Sequence, residues 1–406
     1  MVSLLFSPFL LTVSMLGLLL LGILNWDYNN IKQTIGFNKK LPTLLLQYKS
    51  YYSILIFSFY FLIVLLSAWQ TEGTWQPWLE RIRIKLPFIA LPIAFLGLPR
   101  FGDREVKGLL YFLLLFLTAV GIGVSINYGL NFEEINNQIS RGKPMPVPRN
   151  HIRFSILVSV GIIGGIHLIY QQYFHKNKIE KAVIKAMTIF LFLFIHVLSV
   201  KTGILCLYTA LGVLCLRYIY SSRKYLMGVL LIIGMISIPV ISYLAIPSFK
   251  QKMRYMHYDL TQYAAGNGEI YADAGRLTSL KVGWEIFKSS PIFGVGAGNL
   301  RAVVNQKYKQ NHPEYVEPLT PHSQFIYVLA GMGLFGFSFF MVALFFPLFY
   351  KKAYKNTFFL GAYCIFITAF VVEHTIENAV GVGTFTFFLL LLLNHLFLPQ
   401  NTKQLP

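Results

Sequence analysis

The chain has 406 residues, of which 55% are hydrophobic, 16% aromatic and only 13% charged, proportions that exclude an ordinary soluble domain and a disordered segment. Its formal net charge of +19 is spread over short connections between apolar runs. The basic residues are not gathered with aromatics into a binding module, which argues against a nucleic-acid partner.

The expected fold class is an all-α polytopic integral membrane protein. Runs close to the roughly 20 residues that cross a bilayer as a helix fall at 5–25, 51–69, 85–99, 106–127, 152–173, 180–199, 202–220, 225–247, 323–349, 356–374 and 380–398. That gives about eleven spans, within a range of ten to twelve. The first lacks a basic leader and a small-x-small cleavage site after Asn25-Trp26-Asp27, so a retained helix is expected rather than a secretory signal. The third is short and carries Pro87 and Pro92, which predict a bend, while Trp69, Trp75 and Trp78 before it suit a membrane interface. Cys206, Cys215 and Cys364 all sit in apolar runs and read as packing residues.

Lysine and arginine set the orientation. If the C-terminus is cytoplasmic, the inner connections hold groups such as Lys32, Lys39, Lys40 and Lys49; Arg100, Arg104 and Lys107; Lys176 and Lys178; and Lys351, Lys352, Lys355 and Lys403. The short outer connections hold fewer, among them Arg81, Arg83, Lys85, Arg153 and Lys201. The excess predicts an outside N-terminus, a cytoplasmic C-terminus and an outward-facing long loop.

That loop divides the chain into N-terminal spans (1–247), a polar loop with short helices (248–321) and C-terminal spans with a short tail (322–406). Its basic residues outnumber Asp259, Glu269, Asp273, Glu285, Glu314 and Glu317 to a net charge of about +3, which suits an anionic partner as well as plain solvated charge. Leu277, Leu280, Trp284 and Phe287 have helical spacing. Arg276 is expected just before that helix, where unpaired N–H groups and a guanidinium would together hold phosphate; the alternative is a pair with Asp273. The stretch Pro291-Ile292-Phe293-Gly294-Val295-Gly296-Ala297-Gly298-Asn299 has the glycines of a nucleotide loop but not the strand before it, so a tight turn packed against the membrane surface is expected. The loop ends at Pro321-His322-Ser323-Gln324, which puts an ionisable group at a helix mouth, able to meet both a lipid-borne substrate and water.

The ordered set Gly275-Arg276-Leu277, Trp284, the 291–299 glycine stretch, His322-Ser323-Gln324-Phe325 and Gly331-Met332-Gly333 resembles the O-antigen ligase and O-antigen polymerase superfamily, most strongly over about residues 195–395. The resemblance implies a GT-C glycosyltransferase acting at the outer face of the inner membrane on glycans linked to undecaprenyl diphosphate. It implies that His322 is the base at the acceptor hydroxyl and that Arg276 binds the donor diphosphate. The family's second arginine, in a Ser-Arg-x-Gly pattern, falls on Lys201 in Val200-Lys201-Thr202-Gly203, where lysine keeps the charge but loses the bidentate fork.

Transfer from a lipid diphosphate builds negative charge on the leaving group, so fixed cations such as Arg276 and Lys201 stabilise the transition state more than the ground state. No cofactor is expected. The outer loops have no dense carboxylate cluster of the kind that holds magnesium or manganese, so metal independence is expected; Glu373-His374 lacks the second histidine of a zincin-like motif. Glu373 is instead a candidate to orient His322 or the acceptor, and Arg254 and Arg301 are further candidates for substrate contact. The leading expectation is ligation of the glycan to lipid A-core. A polymerase, a protein O-glycosyltransferase and, from another class, a polysaccharide transporter or flippase remain alternatives; a transporter would concentrate ionisable groups near the bilayer midplane.

Overall fold

The computed structural model describes residues 1–25, 36–37, 52–171, 178–266 and 272–398. Lys32, Lys39, Lys40, Lys49, Lys176, Glu269 and Lys403, used above as loop charges, lie outside the described residues, as do Trp26 and Asp27.

The described chain is helical apart from a two-residue antiparallel pair, Leu24–Asn25 against Gly36–Phe37. In chain order the main helices are α1 (Pro8–Ile23), α2 (Ser58–Leu66), α3 (Gln76–Lys85), α4 (Pro87–Gly97), α5 (Asp103–Leu130), α6 (Phe132–Ser140), α7 (His151–Gln171) and α8 (Lys178–Leu198). They continue with α9 (Lys201–Ser222), α10 (Tyr225–Ala245), α11 (Pro247–Ala264), α12 (Ala272–Ser289), α13 (Leu300–Asn311), α14 (Gln324–Phe349), α15 (Thr357–Val372) and α16 (Ala379–Phe397). By length and composition seven of these can cross a membrane, namely α5, α7, α8, α9, α10, α14 and α16, while α1, α2 and α15 are shorter apolar helices. The architecture is that of an all-α multi-pass membrane protein.

Each expected apolar run contains a helix. The 85–99 run shrinks to the 11 residues of α4, about 16 Å at 1.5 Å per residue and too short to cross a bilayer alone. Pro87 opens α4 because its ring has no N–H to donate, which breaks the backbone ladder between α3 and α4.

Helix α7 packs against α5, α8, α9 and α15 and is one of the most buried spans; α10 is the least buried and leaves most of its apolar surface outward. Cys206 and Cys215 are buried as expected, whereas Cys364 is only partly so, and all three are free thiols. The 248–321 loop folds as α11, α12 and α13, with a small core of Val282, Ile286, Leu300, Val304 and Tyr308.

The glycine stretch is a packed turn, and its partner is a break in α14. Gly333 adopts φ 60° and ψ −167°, outside helical geometry. There the N–H groups of Val295 and Gly296 donate to Ala330 and Gly331 carbonyls (3.1 and 2.8 Å), and those of Leu334 and Phe335 donate to Pro291 and Ile292 carbonyls (2.8 and 3.0 Å). The backbones approach so closely that a Cβ on Gly294 (φ +70°) would sit 2.4 Å from the Met332 nitrogen, and one on Gly333 2.4 Å from the Ile292 carbonyl. Only glycine combines the positive φ with that contact.

Candidate active site

His322 is half of a junction between α12 and the start of α14. Its N–H donates to Ser279 Oγ on α12 (3.1 Å), and its ring Nδ1 lies 3.0 Å from the Thr320 carbonyl. With its proton on Nδ1 the ring donates to Thr320, leaving the Nε2 lone pair free and aimed at Glu373 Oε1, 3.9 Å away. Burial lowers the affinity of His322 for a second proton, and although Glu373 opposes this, the net direction is below the ordinary histidine range. The imidazole is therefore neutral and able to accept a proton near neutrality.

Glu373, the first residue after α15, is the hub. Its side chain is 2% exposed, and Arg276 NH2 (3.7 Å), His322 Nε2 (3.9 Å) and His374 Nδ1 (3.3 Å) surround it. Burial alone would raise a carboxyl, but the histidines together with Arg153 and Arg276 reverse it and hold Glu373 below the usual carboxylate range. His374 is itself pushed down to about 4, first by burial, so near neutrality the standing positive charges on Glu373 are the two guanidiniums. Glu373 Oε2 and Arg153 Nε are both buried without a hydrogen-bond partner, so the site retains polar capacity. His374 meets the His322 ring edge-on at 5.0 Å and stacks on Tyr327 at 5.9 Å.

Beside this hub lies a cavity of about 220 Å³ whose lining includes His151, Lys201, Lys252, Asp273 and Arg276. Lys201, the first residue of α9, pairs with Asp273 on α12. Lys252, on α11, donates to the Gly142 carbonyl at 3.1 Å; burial and the neighbouring Lys201 bring its amine down to about 8. Three lysine or arginine side chains from three helices thus line one partly open cavity, an arrangement suited to a polyanion.

The expected position of Arg276 needs correction. Helix α12 begins at Ala272, so Arg276 is inside the helix rather than before it. The first-turn N–H of Asp273 is already taken by the fully buried Asp259, which accepts it at 2.6 Å. The helix end is capped by protein, and Arg276 faces the cavity by its side chain alone. Its ion-pair partner is Glu373 and not Asp273, which belongs to Lys201.

His322, Arg276, Lys201 and Glu373 are brought together. Arg254 is exposed and lines a separate surface concavity with Lys250, Tyr255 and Tyr258, and Arg301 is exposed on α13, away from both concavities. Sequence reasoning missed His151, Arg153, Lys252 and His374. His151 and Arg153 open an apolar span as His322 does, and Lys252 and Asp259 lie seven residues apart on one face of α11; both patterns were available. The missing second histidine of the Glu373-His374 motif is His322 itself: donor atoms of His322, Glu373 and His374 lie within 4.8 Å of one another. That set has metal-ligand chemistry, but Arg153 and Arg276 beside it oppose a cation.

No curated protein sequence matches the chain at a significant level. Residues 186–341 match the O-antigen ligase family, a stretch that runs from α8 to the middle of α14 and holds Lys201, Lys252, Arg276 and His322. The similarity to the O-antigen ligase family thus covers residues 186–341, the stretch that carries these four side chains.

Proposed function

We propose that the protein is an inverting, metal-independent glycosyltransferase that moves a glycan from undecaprenyl diphosphate to a sugar hydroxyl of lipid A-core at the periplasmic face of the inner membrane. On this reading the N-terminus is periplasmic and the C-terminus cytoplasmic. The observation that carries it is the adjacency of two kinds of chemistry: Arg276 both lines the cationic cavity and touches Glu373, and Glu373 faces the free Nε2 of His322.

The donor diphosphate occupies the cavity against Lys201, Lys252 and Arg276. The acceptor hydroxyl attacks the anomeric carbon from the face opposite the diphosphate as its proton passes to His322 Nε2. The anomeric C–O bond breaks, its electron pair leaves with the diphosphate, and one displacement inverts the anomeric centre. The cations stabilise charge that grows on the leaving oxygens, and Glu373 stabilises the imidazolium that forms. Lys201 is held by Asp273 in the free protein, so donor binding replaces or shares that partner.

The test is transfer by the purified full chain with an undecaprenyl-diphosphate glycan and chelator present, offered lipid A-core in one reaction and only further donor in another. Glycan on lipid A-core supports the proposal. Chain extension alone makes the protein a polymerase, and activity in neither removes the ligase reading. Loss of transfer with chelator, restored by metal, would overturn the metal-independent mechanism.

A further inference from the structure

A second polar cluster lies behind the first and joins the N-terminal half of the chain to the 373–378 turn. Lys85, the last residue of α3, is 1% exposed; its Nζ lies 2.6 Å from Glu377 Oε1 and 2.6 Å from the Ile376 carbonyl. Gln324 donates from Nε2 to the same Glu377 oxygen (2.7 Å), while its Oε1 accepts the Ile376 N–H (3.1 Å). Tyr60 on α2 donates to Glu377 Oε1 at 3.4 Å, and Arg81, one turn before Lys85, reaches Glu377 Oε2 at 3.8 Å and the Tyr327 hydroxyl at 3.5 Å.

Stability alone gives little reason for this cluster, because a buried ion pair is often replaceable by apolar side chains without loss. Its location gives a better one. Gln324 follows His322 by two residues, and Ile376 follows Glu373 by three. The two bonds between Gln324 and the 376–377 backbone and carboxylate therefore clasp the segments that carry the base and its carboxylate. Lys85 fastens the clasp to α3, and Arg81 continues it through Tyr327, whose ring stacks on His374. A drift of either segment would open the His322–Glu373 separation, which depends on no direct hydrogen bond of its own.

We infer that Glu377, gripped by Lys85 and Gln324, is a positioning residue for the His322–Glu373 pair, so that α2 and α3, outside the family-matched stretch, are part of the catalytic unit. This rests on the proposed role of His322.

The test compares the parent, Lys85→Met/Glu377→Gln, which removes both charges together, and Gln324→Asn, which shortens the clasp without changing charge. Folding is read by thermal melting in detergent, donor affinity by direct binding of the undecaprenyl-diphosphate glycan, and catalysis by kcat and its pH profile. The expected result is a melting temperature and donor Kd close to the parent's, kcat reduced at least tenfold in both variants, and a displaced acid limb. A kcat within twofold of the parent with the limb in place would overturn the inference, as would a loss of kcat that tracks loss of folded protein in both. His322→Ala, run alongside, separates the two readings: normal transfer there removes His322 as base, whereas loss there with unimpaired clasp variants removes only the clasp.

Discussion

Replacing Glu373 by glutamine keeps the shape of the hub and deletes its charge. If His322 takes the acceptor proton as proposed, it becomes an imidazolium 3.9 Å from the carboxylate, and at an effective dielectric of about 20 two unit charges at that distance attract by about 4 kcal/mol. The glutamine amide dipole, turned with its oxygen toward the imidazolium, and relaxation of Arg276 recover roughly half, which leaves about 2 kcal/mol, or about 30-fold in kcat. The pH profile moves with a definite sign. Burial holds His322 below the ordinary histidine value and Glu373 partly opposes this, so loss of the carboxylate lowers the proton affinity further. A base works when neutral, and its rate falls as pH drops through its pKa; the acid limb of Glu373→Gln therefore moves to lower pH while the plateau falls. Transfer kinetics between about pH 4 and 8 would read both changes. A plateau equal to the parent's, or an acid limb that moves upward, would refute the placing of charge beside the base.

Lys201→Arg should retain at least partial transfer and Lys201→Ala should weaken donor binding at least tenfold, read as donor Kd; equal activity in the alanine variant would end its diphosphate role. Because the Lys252 amine lies at about 8, its positive charge is present below that pH and lost as pH rises through it, so donor affinity should decline above about pH 8 and Lys252→Arg should remove the decline. Gly294→Ala and Gly333→Ala each force a side chain into a positive φ and into backbone 2.4 Å away, and each should cost about 2–3 kcal/mol, seen as a lowered melting temperature. Gly17→Ala, where nothing lies within 4 Å, should leave melting unchanged.

The apolar helices were legible because hydropathy is a local property, and so was the tight glycine turn, because alternating glycines without a preceding strand have few other uses; its docking on the break in α14 was not. His322, Arg276 and Lys201 were legible from the position of polar residues at helix mouths and from the resemblance they complete. Pairings were not. Lys85 reads in sequence as one more loop charge, yet it is buried against Glu377, 292 positions away, and no local pattern encodes a partner so distant. For the same reason Arg276 could not be assigned to Glu373 rather than to Asp273, its neighbour in sequence. The extent of α12 was misjudged because its first turn, Ala272-Asp273-Ala274-Gly275, has no large apolar side chain and is capped by Asp259 from another helix, so apolar spacing started the helix too late.

The break at Gly333 carries a consequence for assembly. Backbone groups of residues 330–335 that a continuous helix would bond internally find their partners in 291–296 instead. In hydrocarbon such groups cannot be left unmet, so α14 is complete only when the loop helices have already folded and presented the turn. Residues 291–296 precede 330–335 in the chain, so the template is made before the segment that needs it. The maturation of the 248–321 loop and the seating of the last spans are thereby a single event, and a fault in either is felt in both.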